Sequence, residues 1–196
     1  MIEASFKSYL VSNAGVSIEE ANKRYDALEK KEFKSGAVLL EKGAPCRHSF
    51  FVEKGLLRSY MLAEDGKEHI IQFAPESWFI VDRSSVYFSE TSKSYIEAIE
   101  DSKVVLLNDD FFSQVSALYP KFSQFNDRLL HKHILQMQQR INLLLGASAE
   151  TRYLNFIELY PDLLLRVPQW MIASYLGITP ESLSRVRKEL ANKNFS

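Results

Sequence analysis

Apolar residues along the chain first recur at a helical period, then alternate in short runs, then return to a helical period that lasts to the end. Ser17-Ile18-Glu19-Glu20 is a capping box, and Ile18, Ala21, Tyr25 and Leu28 predict the apolar face of a short helix. From Phe33, β-like runs follow at 37–41, 49–53, 56–62, 67–73, 95–99 and 103–107. Lys42-Gly43, Lys54-Gly55 and Asp65-Gly66 punctuate them, and the Asp-Gly pair between two runs predicts a hairpin. Short strands joined by such turns predict an antiparallel β-barrel or jelly roll.

After Asn108 the pattern is helical. Pro120 breaks one helix, and a second is predicted over 121–145 with Gly146 as its C-cap, about 37 Å long. Leu130, Ile134, Met137, Ile141 and Leu144 follow a 4-3-4-3 spacing, which is a narrow coiled-coil seam. Packing within its own domain would use such a stripe too. A helix that joins two compact units and exceeds the need of either favours a dimer seam. A third helix near 148–160 ends before Pro161. The expected class is therefore α+β: a β-barrel with an N-terminal helix over 1–108, linking and dimerisation helices over 109–146, and an all-α domain over 147–196.

Within the last segment, Pro168 suits the first turn of a helix that runs to about Leu176, and Gly177 suits its left-handed end. Thr179 is an N-cap and Pro180 sits at the first position of the next helix. Two helices across a three-residue turn form a helix-turn-helix. Ile172 and Leu176 share one face of the first helix, Leu183, Val186 and Leu190 one face of the second, and Ile178 plugs the turn. The opposite face carries Glu181, Ser184, Arg185 and Lys188, a polar strip suited to a major groove about 12 Å wide. Arg185 can donate twice to guanine, and Glu181 can accept from cytosine. Gln169, Thr179, Ser182 and Ser184 are expected against phosphates.

Composition adds little until it is read locally. The net charge is −1, with 46% hydrophobic and 25% charged residues, so nucleic-acid binding has no overall signature. From Arg166 onward five basic residues (Arg166, Arg185, Arg187, Lys188, Lys193) meet two acidic ones (Glu181, Glu189). That local balance is +3, against −4 for the rest. No apolar run reaches a membrane span, the N-terminus reads as no secretory signal, and a single Cys46 excludes an internal disulfide or a four-cysteine metal site. A cytoplasmic protein is expected. Cys46 is expected to be a small packed residue, and His48, His69, His131 and His133 lack a metal-ligand spacing, so no metal or cofactor is expected.

In this order, a β-rich front, a long helix and the stretch Ile172-Ala-Ser-Tyr-Leu-Gly-Ile-Thr-Pro-Glu-Ser-Leu-Ser-Arg-Val-Arg187, the chain resembles the CRP/FNR family of bacterial transcription regulators. Ser35-Gly36-Ala-Val-Leu-Leu-Glu-Lys-Gly43 and Phe51-Val-Glu-Lys-Gly55 are similar to that family's cyclic-nucleotide-binding fold. The resemblance implies a homodimer on a palindromic double-stranded operator, a small-molecule effector, RNA polymerase as a partner, and base reading by Glu181 and Arg185. Pro180 stands where the family often has an arginine, so one base contact is missing.

The family's phosphate cassette has Gly-Glu followed about ten residues later by Arg-Ser. Counted from Phe73, this chain has Val81-Asp82 and Ser92-Lys93. Asp82 can still accept from a ribose, but the arginine is lost, and Lys93 is a point charge facing the other way. Losing a charge-assisted contact of about 1.5–3 kcal/mol predicts a tenfold or greater weakening, so cAMP is not the expected effector. Trp78, Phe79, Tyr87 and Tyr95 are expected in the barrel core or beside an effector. Asn194-Phe195-Ser196 is too short for the β-hairpin wing that normally follows the recognition helix. The rival readings are a cupin-like metal enzyme, which needs a His and Glu cluster, and a non-DNA signalling adaptor.

Overall fold

The computed structural model describes residues 5–194, without the side chain of Asn194. The Phe195-Ser196 end of the wing reading lies outside them. Two compact units divide the chain. One runs to Lys67 and takes in Ile71–Leu130; the other holds Glu68–Ile70 and the chain from His131 on. The boundary falls inside the long helix.

The first unit opens with α1 (Phe6–Ala14) and α2 (Ile18–Asp26). Eight strands follow: β1 (Glu29–Phe33), β2 (Val38–Leu40), β3 (Ser49–Lys54), β4 (Leu57–Leu62), β5 (Glu68–Ala74), β6 (Phe79–Ile80), β7 (Tyr95–Ala98) and β8 (Ser102–Leu107). They form two four-stranded sheets, ordered β1-β8-β3-β6 and β2-β7-β4-β5. In the first, β8 pairs antiparallel with both β1 and β3; in the second, β7 pairs antiparallel with β2 and β4. This is the expected jelly-roll arrangement. The strand runs expected from alternation are all present, and Asp65-Gly66 makes the turn before β5, with the Gly66 N–H donating to Ala63 O. One core lies among the strands around Phe50, Val52, Leu57, Ile96 and Val104. A second lies between α1, α2 and the outer face of β3 and β8.

That second core holds the elements that the alternation missed. Phe6, Leu10 and Ala14 of α1 are fully buried, and Phe6 packs edge-on against Phe51 with ring centroids 5.0 Å apart. Glu53 accepts from the Phe6 N–H at 3.0 Å and from the Tyr25 hydroxyl at 2.9 Å, so one buried carboxylate ties both helices to β3. Ser17 caps α2 as expected by accepting from the Glu20 N–H. Glu20 does not complete the box; its carboxylate pairs with Arg24 instead. Ile18 also departs from expectation. It is 71% exposed, because the first residue of α2 precedes the turn that meets the core.

After α3 (Arg83–Phe88), between β6 and β7, come α4 (Asp109–Leu118), capped by Asn108, and α5 (Pro120–Gly146). α5 has 27 residues and so spans about 40 Å. The second unit contains its C-terminal half with α6 (Ala149–Leu159), α7 (Leu163–Arg166), α8 (Gln169–Leu176) and α9 (Pro180–Asn194). Ser148 caps α6 by accepting from the Thr151 N–H. Tyr153, Phe156, Tyr160, Leu163, Ile172, Leu176, Leu183 and Val186 form the buried interior of these helices.

Candidate nucleic-acid interface

α8 and α9 meet across Gly177-Ile178-Thr179. Gly177 adopts φ 67° and ψ 35°, the left-handed conformation that ends α8, and the Ile178 N–H donates back to Ala173 O at 3.0 Å. Pro168 lies one position earlier than expected. It is the N-cap of α8 rather than its first helical residue, since its ψ of 144° is extended. Thr179 Oγ1 accepts from the Ser182 N–H at 3.2 Å, which makes it the functional cap of α9.

Burial then sorts α9 by face. Leu183 and Val186 are buried and Leu190 is half-buried, while Glu181, Ser184, Arg185, Arg187 and Lys188 are exposed. Ser182 is half-buried, and Gln169 at the start of α8 and Thr179 at the end of the turn are exposed. Among the described residues, no carboxylate pairs with Arg185, Arg187 or Lys188, so their charge faces solvent. Lys193, near the far end, is taken up by Glu150 of α6 at 2.8 Å. The backbone N–H at the start of α9 and the Thr179 hydroxyl hold the Glu181 carboxyl below its usual value, so it is an acceptor at neutral pH. The strip offers donors and acceptors on the exposed face of α9, which is the chemistry of base-edge reading.

The second unit also displays the seam. Leu130, at the end of the first unit, and Ile134, Met137, Ile141 and Leu144 are each between 39% and 52% exposed, and Leu145 beside them is more exposed still. Gly146 does not cap α5 in a left-handed turn, because it remains helical. Arg152 of α6 reaches back and donates to Leu144 O and Ala147 O instead, both at 3.1 Å.

In the first unit, two of the residues expected around an effector, Asp82 and Ser92, are committed to each other. Asp82 caps α3 and accepts from the Ser85 N–H at 3.0 Å, from Ser84 Oγ at 2.9 Å, from Ser92 Oγ at 2.5 Å and from Ser94 Oγ at 3.2 Å. Burial alone would raise its pKa, but the bonds from Ser92, the Ser85 N–H, Ser84 and Ser94 outweigh it and hold the carboxyl below its usual value. The expected ribose acceptor is therefore already occupied. Ser92 is buried in this cluster, whereas Lys93 is exposed and lies 3.8 Å from Glu90, pointing the other way as expected. Phe73 is buried outright and Val81 half-buried. Phe79 joins Phe6, Tyr9 and Phe51 in the core, Tyr95 stacks on Tyr60, and Trp78 packs on the inner core. Tyr87 departs from the core expectation: it is about half exposed on α3. Cys46 is buried, its N–H donates to Ser85 Oγ, and burial pushes its thiol pKa up, which suits a packed residue and not a reactive one.

The serine cluster was hard to find in the sequence. Ser92 stands out there only as the counterpart of the cassette's arginine, Ser84, Ser85 and Ser94 carry no signal, and only folding gathers the four on one carboxylate.

Comparison with known proteins agrees with this geometry. The family model of the cyclic nucleotide-binding domain matches residues 30–119. The chain is 26% identical over 183 residues to electron transport regulator A of Shewanella oneidensis, covering 87% of this chain and 72% of that one. It is 27% identical over 168 residues to the anaerobic regulatory protein of Pasteurella multocida, covering 80% and 61%. The chain thus spans between 61% and 72% of these two relatives' length. The structure of FixK2 from Bradyrhizobium japonicum has the same fold, with a TM-score of 0.72 over 86% of each chain at 19% identity.

Proposed function

The chain belongs to the CRP/FNR family of transcription regulators, and from that premise we propose that it binds a palindromic DNA operator as a homodimer through α9. Regulators of this family are not enzymes and bind DNA as dimers, so the cupin-like enzyme and the adaptor readings fall away.

One observation carries the reading: α9 keeps Glu181, Ser184, Arg185 and Lys188 in solvent while Leu183 and Val186 anchor it from behind. In a major groove, Arg185 would fork onto guanine O6 and N7 and Glu181 would accept from cytosine N4. Gln169, Thr179 and Ser182 would lie along phosphates. Pro180 has no side-chain donor, so the operator would lack the base pair an arginine there would read. The exposed stripe on α5 supports pairing of two protomers through Leu130, Ile134, Met137, Ile141 and Leu144, since solvent gains nothing from a row of aliphatic side chains. RNA polymerase would be the further partner and the cytoplasm the compartment. No helix among the described residues is long and apolar enough to cross a membrane.

The barrel of such a regulator would respond to a small effector or to none. The Asp82 cluster favours an effector other than cAMP, because Ser92 stands where the family's cassette would have its arginine and the carboxylate already holds the local serine donors. Selection of bound sequences from a random DNA pool tests the proposal. Recovery of an inverted repeat is expected, and a pool that stays unenriched refutes it.

A further inference from the structure

The C-termini of α5 and α8 both present carbonyls to Arg152, while Arg140 of α5 takes Tyr175 O in the last turn of α8. Each helix end presents carbonyls with no partner inside the helix and carries partial negative charge. Arg152, near the start of α6, donates from Nη2 to Leu144 O of α5, from Nε to Ala147 O just beyond it, and from Nη1 to Leu176 O of α8, all at 3.1 Å. Only a guanidinium has enough donors in a fixed plane to do this from one side chain.

The same place is closed sterically. A Cβ on Gly177 would lie 3.1 Å from Leu144 Cδ2 and 3.6 Å from Arg152 Nη1. Leu144 is also the last residue of the exposed seam. The end of the predicted dimer seam, the turn of the helix-turn-helix and the Arg152 fork therefore touch one another. Only Ala147 and Ser148 lie between α5 and α6, the helix that carries Arg152.

We propose that Arg152 is a positioning residue that fixes the angle of α9 relative to the dimer helix, and so sets the half-site spacing that the dimer reads. The inference rests on the proposed dimeric, DNA-binding function. In a two-fold dimer whose α5 helices are paired, the separation and rotation of the two α9 helices follow from how each is joined to its own α5. Half-sites lie about 10–10.5 base pairs apart, and one extra pair shifts a half-site by about 3.4 Å and turns it by about 35°. A rigid joint rejects that change; a loosened one tolerates it.

The test uses the full-length protein and operators whose two half-sites are moved one base pair closer or one further apart. Wild type is expected to lose at least about tenfold in affinity on either change, since each costs part of one half-site's contacts. Arg152→Gln is expected to compress that discrimination to threefold or less, with its dimer mass by sedimentation unchanged. Arg152→Lys keeps the charge but cannot span three carbonyls, and it is expected to behave like Arg152→Gln. A protein merely weakened in stability would lose affinity equally for all three operators. If Arg152→Gln does not fold, Arg152→Lys decides. Retention of the wild-type spacing preference in the folded variant overturns the assignment of Arg152. Failure of wild type to bind any inverted repeat instead overturns the regulator reading, so the two failures are separate.

Discussion

Ser92 Oγ lies 2.5 Å from Asp82 Oδ2, ten residues away, and places a hydroxyl where relatives with a phosphate cassette are expected to use an arginine. The carboxylate is kept ionised in a buried setting by four donors, so the bond network contributes to stability only while Asp82 is charged. Its folded pKa lies below its unfolded value. The contribution is therefore complete above about pH 4 and is lost as the pH falls through the folded value. Asp82→Asn is expected to cost about 1.5–3 kcal/mol at pH 7. Urea unfolding followed by circular dichroism should show the gap between variant and wild type closing at low pH. A gap that stays constant down to pH 2 contradicts the role.

Asp82 also bears on ligand choice. Isothermal titration of the protein with cAMP is expected to give no saturable heat up to millimolar nucleotide. Micromolar binding would show that the serine cluster opens for a phosphate.

The seam on α5 predicts an oligomeric state. Ile141→Glu places a charge at the middle of a paired apolar stripe, where burying it unpaired costs several kcal/mol. Sedimentation velocity should show a dimer for wild type and a monomer for the variant. Because Ile141 is about half exposed in the single chain, the variant's far-ultraviolet spectrum should be unchanged. A variant that remains dimeric moves the interface elsewhere.

Arg185→Ala removes the one forked donor on the reading strip. A bidentate pair is worth about 1–3 kcal/mol of discrimination, and a dimer uses two. Specific binding in a gel-shift titration is expected to fall at least about thirtyfold, while the dimer and its melting curve are unaffected. Affinity within threefold of wild type would refute the assigned contact.

Gly55 in the Lys54-Gly55 turn has φ 89°, and a Cβ there would lie 2.7 Å from Asp101 O and 2.8 Å from Ser102 Cα. Both neighbours are backbone and cannot swing aside. Gly55→Ala is expected to lower the stability of the barrel by about 2 kcal/mol or more, read as a lower urea midpoint.

The chain order of elements, most strands, the capped helices and the helix-turn-helix were legible from residue pattern, because each depends on neighbours within a few positions. Thr179, Pro180 and Gly177 announce their roles through their own backbone preferences. Leu183 and Val186 announce theirs through a spacing that one helix enforces. The same locality placed Glu181 and Arg185 on the open face before any packing was considered.

Other features were settled by chain segments far apart. α1 escaped notice because Phe6, Leu10 and Ala14 acquire meaning only once Phe51 and Glu53, some forty residues on, supply a surface and an acceptor. Gly146 has the right residue type to cap α5, yet Arg152 takes that task from the next helix. Asp82 shows the same division. Its identity is written in the chain, but whether it meets a ligand or four donors of its own protein depends on where α3 and the approach to β7 carry Ser84, Ser85, Ser92 and Ser94. Backbone propensity acts through bonds and reaches a few residues; the satisfaction of buried charge and carbonyls acts through space, and only the folded chain assigns its partners.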